Sequence, residues 1–191
     1  MIFSLVALIL FGSLSCGTFL VKVPPSSDNK ASFPIFELPI PQNNAHANYL
    51  GISGPGNFKI TQIKSPVLII EIFSKNCAHC QNATPLVHRL YLAIQARPDL
   101  KEKIKIIGIG TDNDTDDVDL FQKNYHVPFP LFPDPHNVIS KKLGGVILPT
   151  FIGLKNNGDG TMEKFLLQSG AFRDANNFLA EILERAKLEE R

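Results

Sequence analysis

Apolar residues in this chain come as short unbroken runs and as helical stripes, separated by stretches rich in Gly, Pro, Asn and Asp. Val67-Leu68-Ile69-Ile70-Glu71-Ile72-Phe73 is apolar on both faces except at Glu71, the pattern of a buried central strand. Ile104–Gly110 reads as a second buried strand and Phe129–Phe132 as a short third. Thr150–Leu154 and Met162–Leu167 are predicted to pair across Asn156-Asn157-Gly158-Asp159-Gly160, a turn-rich loop. Between these runs the periodicity turns helical. A helix is predicted from Ala78 to Ala96, bent at Pro85 and ended before Pro98. Shorter helices follow at Val118–Tyr125 and Asn137–Leu143. Asp174 caps a last helix, whose Phe178, Leu179, Ile182, Leu183 and Ala186 form one stripe for packing on the sheet. Upstream, Tyr49–Ile52 and Phe58–Ile60 read as a small hairpin over Gly54-Pro55-Gly56. Strands interleaved with helices indicate an α/β domain.

The first segment is of another kind. Ile2 to Val21 is almost wholly apolar, with no polar face for a helix to turn to water, so it is not a core helix. It reads as a lipoprotein signal cut before Cys16, an uncleaved membrane anchor or a secretory signal, and each would carry the domain across a membrane. Leu14-Ser15-Cys16-Gly17 resembles a bacterial lipobox and makes Cys16 the lipidation candidate. Residues 22–31, with Pro24-Pro25-Ser26-Ser27, form a polar tether, and residues 32–191 are left for the folded domain. At 191 residues, one domain with a terminal appendage accounts for the length. The net charge of +1, with both signs interspersed, offers no basic stripe for nucleic acid.

The chemistry lies at Cys77-Ala78-His79-Cys80, directly after the central strand and at the start of the long helix. A helix N-terminus has free backbone N–H groups and a positive dipole end, which favour a thiolate at Cys77. Cys77 is therefore the nucleophile, and Cys80, one turn on, resolves the mixed disulfide that follows. Other uses of two cysteines fit less well. Haem attachment needs His where Gln81 stands, and the only further cysteine is Cys16, so four zinc ligands are not at hand. The domain's cysteines are this pair alone, which suits a compartment where disulfides persist.

Phe73, Cys77, Cys80 and Pro85, with Glu71 six residues before Cys77 and Leu148-Pro149-Thr150 far downstream, resemble the thioredoxin superfamily. Phe129-Pro130-Leu131-Phe132 followed by Asp134 is similar to its membrane-tethered thiol–disulfide oxidoreductase branch (TlpA- and ResA-like, with a peroxiredoxin-like redoxin fold). Asn76 departs from the pattern, standing where the family usually has Trp. The resemblance implies a thioredoxin-like fold: a central mixed sheet flanked by helices, with an extra strand–helix insertion between Ile104 and Leu143 and an N-terminal extension. It implies disulfide exchange with protein thiols, no dissociable cofactor, a membrane or periplasmic redox partner, and an extracytoplasmic (bacterial periplasmic) protein tethered through its N-terminus.

The resemblance also implies roles for single residues. Pro149 would be cis, and Leu148, Pro149 and Thr150 would dock the partner peptide against Cys77. His79 would lend a hydrogen bond or charge to the Cys77 thiolate and make the disulfide more oxidising. Glu71, on a buried strand, would take the Cys80 proton through water; the structural alternative is an ion pair with Lys59 or Lys75. Two rival functions remain. One is a metal-handling module holding Cu(I) or zinc on Cys77, Cys80 and a histidine. The other, a thiol peroxidase, lacks its signature, which needs Thr or Ser at Cys77 and Pro at Phe73. Asp112–Asp117 fails the calcium-loop pattern and reads as a solvated loop capping the next helix. His46, His88, His126 and His136 are dispersed, and no resident metal is expected.

Overall fold

A computed structural model describes residues 33–143 and 147–188. The apolar segment 1–21, the tether 22–31 and Cys16 lie outside the described residues.

Five strands make one mixed sheet in the order β5-β4-β3-β6-β7. The central β3 (Val67–Phe73) runs parallel to β4 (Ile104–Thr111) on one side and antiparallel to β6 (Thr150–Asn156) on the other. Parallel β5 (Leu131–Asp134) and antiparallel β7 (Met162–Ser169) form the edges. Every residue of β3 is buried, as its unbroken apolar run requires. Its alternating side chains feed two cores. Val67, Ile69 and Phe73 face Val87, Leu90 and Ile94 of α2 (Ala78–Gln95) and Phe178, Leu179 and Ile182 of α5 (Ala175–Ala186). Leu68, Ile70 and Ile72 face the opposite core, with Leu38, Leu50, Phe58 and Ile63. Glu71 is odd-numbered and so shares the α2 face.

The α5 stripe is buried as its spacing predicts, and Asp174 caps the helix, accepting from Asn177 N–H at 2.8 Å. Each such large apolar side chain contributes about 1.5–3 kcal/mol of burial. Phe172 joins them, stacked on Phe178 with ring centroids 4.3 Å apart. α2 continues through Pro85, which leaves the Gln81 carbonyl without its intrahelical donor, and ends ahead of Pro98.

Three boundaries differ from the sequence reading. The predicted hairpin does not form: Tyr49 and Leu50 end a helix, α1 (Asn44–Leu50). Asn43 supplies its N-cap, accepting from Ala45 N–H at 2.8 Å, and Gly51 closes it at φ 67°, a conformation glycine adopts without penalty. Phe58 instead pairs with Leu38, in the two-stranded ribbon of β1 (Glu37–Pro39) and β2 (Asn57–Lys59). The third predicted strand lies later, at β5, because the ladder with β4 starts at Leu131 opposite Gly108. The helix after β4, α3 (Thr115–Tyr125), starts earlier than its apolar pattern, since Asp114 and Asp117 form a reciprocal capping box at its start. A short α4 (Val138–Lys142) follows β5, held by Asp134, whose buried carboxylate accepts from the N–H groups of Val138, Ile139 and Ser140.

Candidate active site

β3 delivers the chain to the site. After Phe73, Ser74 carbonyl accepts from Cys77 N–H at 3.1 Å, closing a turn that ends at the N-cap of α2. Cys77 is that N-cap, extended at φ −91° and ψ 107°, and its Sγ accepts from Cys80 N–H at 3.2 Å. An acceptor at the N-cap satisfies one of the donors that a helix start leaves free, and a thiolate does so better than a thiol. Cys77 is half-buried, Cys80 is fully buried beneath it, and both are free thiols.

The acids behind Cys77 are held in their neutral forms. Burial, and the hydrogen bond Cys80 shares with Cys77, drive the Cys80 thiol far above its ordinary range. A backbone hydrogen bond at Ser74 opposes this, while the charges of Cys77 and Glu71 add to it. Burial alone pushes Glu71 up to about 8. Glu71 is 5% exposed, and its charge is felt at Cys80 from the same face of the sheet. Neither lysine considered as its ion-pair partner reaches it. Lys75 pairs with Asp117, and burial is the one influence on the Glu71 carboxyl, with no lysine charge acting on it.

Leu148-Pro149-Thr150 enters from the other side, with the Leu148–Pro149 bond cis. Thr150 is buried opposite Ile72, and its hydroxyl donates to the Ile147 carbonyl. Leu148 and Ser74 line one cleft of about 440 Å³, together with Thr111, Asn137, Ser140 and Lys141. The proline loop therefore borders the turn that presents Cys77. Ile147, next in sequence to Leu148, and Val138, next to Asn137, are 72% and 56% exposed. A larger cleft of about 620 Å³ lies elsewhere, lined by Pro39, His46, Val118, Gln122 and Phe132, and none of the site residues borders it.

His79 sits exposed in the first turn of α2, without a hydrogen bond to Cys77 among the described residues. No group of three or more His, Cys, Asp and Glu side chains converges as a metal site among the described residues. No described helix is long and apolar enough to cross a membrane. Asn113 escaped the sequence reading. It is wholly buried inside a loop whose composition signals only solvation, and its Oδ1 accepts from Lys75 N–H at 2.8 Å.

Residues 65–159 match a family profile described as thioredoxin-like. No curated protein matches the sequence. Among solved structures, a candidate thiol:disulfide interchange protein DsbE from Chlorobium tepidum is similar at TM-score 0.61 and 18% identity, covering 81% of this chain and 95% of that one. StoA from Bacillus subtilis gives 0.56 and 17%, over 80% and 98%. A secreted disulfide oxidoreductase of Mycobacterium tuberculosis, homologous to DsbE of E. coli, gives 0.55 and 14%, over 83% and 99%.

Proposed function

From a chain with a thioredoxin-like domain over residues 65–159, we propose a thiol–disulfide oxidoreductase that exchanges disulfides with protein substrates through Cys77 and Cys80. The observation that carries this reading is the unequal placement of the two thiols. Cys77 Sγ sits on the helix N-terminus with a backbone N–H donated to it, and Cys80 is buried and held protonated. In the reducing direction, the Cys77 thiolate attacks one sulfur of a partner disulfide and the partner's other sulfur leaves as a thiolate. Cys80 then gives its proton through water to Glu71 in its ionised form, and attacks Cys77 Sγ. The partner leaves reduced, and the pair is left as a disulfide. The oxidising direction is the reverse.

Leu148-Pro149-Thr150 borders the approach to Cys77 and serves as the docking edge for an extended peptide, with Ile147 and Val138 beside it. His79, exposed in the first turn of α2, is the residue placed to tune the Cys77 thiolate. Turnover requires a redox partner and no dissociable cofactor. The apolar segment 1–21 supports an extracytoplasmic, membrane-tethered protein, with Cys16 as the residue a lipid would occupy.

The test is equilibration with glutathione, followed by trapping. Cys80→Ser is expected to accumulate a mixed disulfide with a disulfide-bonded client, and Cys77→Ser to form none. The glutathione equilibrium constant then gives the direction: near the extracytoplasmic poise for an oxidase or isomerase, strongly reducing for a reductase. Absence of any reversible couple overturns the reading.

A further inference from the structure

The segment that aims Cys77 is tied to a distant part of the fold. Lys75, two residues before the nucleophile, is held at three atoms. Its backbone N–H donates to Asn113 Oδ1 at 2.8 Å, its carbonyl accepts from Gln81 Nε2 at 2.7 Å, and its ammonium pairs with Asp117. Gln81 belongs to α2 itself, but Asn113 and Asp117 come from the β4–α3 junction, 38 and 42 residues further along the chain.

That junction is built to hold them. Asn113 has no exposed surface, and its Nδ2 donates to the Asp112 carbonyl at 2.9 Å, which turns the oxygen end of the amide toward Lys75. Its backbone N–H donates to the Gly110 carbonyl at 3.3 Å. Room for it exists because residue 110 is glycine: a Cβ there would stand 3.1 Å from Asn113 Cβ and 2.9 Å from Val118 Cγ2. Asp117 shares its two oxygens between Lys75 and Asp114 N–H, so the α3 capping box also orients the ion pair.

We propose that Asn113, with the Lys75–Asp117 pair, positions the nucleophile: the β4–α3 junction fixes the Lys75 backbone and thereby keeps Cys77 Sγ on the N-terminus of α2. The clamp favours the geometry in which Cys77 accepts from Cys80 N–H, which is the thiolate's geometry. Loosening it weakens that hydrogen bond and moves the couple toward the disulfide. Asn113 and Asp117 touch neither the partner nor the reacting sulfurs, so they are positioning residues. The inference rests on the oxidoreductase reading above.

The test measures the glutathione equilibrium constant and the pH profile of Cys77 alkylation in the full chain. Asn113→Ala is expected to shift the equilibrium about tenfold toward the disulfide, the effect of losing one buried hydrogen bond, and to move the alkylation profile to higher pH. Lys75→Met, which removes the outer tie at a partly exposed position, is expected to shift it about threefold in the same direction. Lys75→Arg, which keeps the pair, restores the wild-type constant. Asp116→Asn, a charge change of the same size and opposite sign on an exposed neighbour, leaves it within twofold. Lys75→Met decides the matter if Asn113→Ala fails to fold. Constants within twofold of wild type in folded Asn113→Ala and Lys75→Met overturn the clamp, as does a shift of the same size, in either direction, from Asp116→Asn. A wild-type chain with no reversible couple overturns the oxidoreductase reading itself, and the clamp's role with it.

Discussion

Replacing Glu71 by Gln is expected to make the fold more stable and less sensitive to pH. Burial lifts this carboxyl from an ordinary 4.5 to about 8. Between those values the folded chain holds a proton that the unfolded chain has released, so wild-type stability falls as pH rises through the window. Below it both states are protonated, above it both are ionised, and the slope vanishes. Each pH step inside the window is worth about 1.4 kcal/mol, so the loss between pH 5 and pH 8 is on the order of 4 kcal/mol. Gln stays neutral throughout, and groups common to both proteins cancel in the difference. The assay is urea or thermal unfolding of the reduced proteins at intervals from pH 5 to pH 9. The gap between variant and wild type should widen with pH up to about 8 and then hold, and in a chain of this size 4 kcal/mol corresponds to roughly 10 °C in Tm. A gap that stays constant or narrows from pH 5 to pH 8 refutes the reasoning.

Release of a trapped mixed disulfide by Cys80 should speed up as pH rises toward 8, where Glu71 ionises, and Glu71→Gln should flatten that rise; stopped-flow release of a labelled client checks it. Gly110→Ala forces a methyl within 2.9 Å of Val118 Cγ2 and should cost about 1–3 kcal/mol in urea unfolding. Asp134→Ala removes the acceptor for the first N–H groups of α4 and the Ser140 hydroxyl, and should cost about 2–4 kcal/mol in the same measurement.

What the sequence made legible is what local chemistry encodes. The strand before Cys77, the helix after it and the Asp174 cap all follow from residues within a few positions of one another. α1 was misread because Asn43 and Gly51, its two caps, bracket a segment with little apolar periodicity. Phe58 was given to the wrong partner because register between short strands is set by tertiary packing rather than by the turn. The ion-pair alternative for Glu71 named Lys75, a neighbour in sequence, but the fold gives that lysine to Asp117, 42 residues away. Asn113 left no signal at all: an Asn among aspartates reads as solvent-facing, and only the close approach permitted by Gly110 buries it.

The proposed exchange gives a reason to keep an acid where an apolar residue would make a better strand. Ile at position 71 would complete the β3 run, Val67 to Phe73, and remove a pH-dependent cost of several kcal/mol. Cys80, however, is buried and held protonated, so it cannot resolve a mixed disulfide until some group takes its proton. A surface carboxylate, with its low pKa, would be a weak base for a thiol raised this far. Burial on the α2 face raises Glu71 toward Cys80 in proton affinity, and that same burial costs stability. The two effects have one cause, so they should move together. Any substitution that opens the Glu71 environment to water should shrink the loss of stability between pH 5 and pH 8 and slow Cys80 in the same variant. A variant that flattens that pH dependence with resolution unchanged would separate them and remove Glu71 from the proton path.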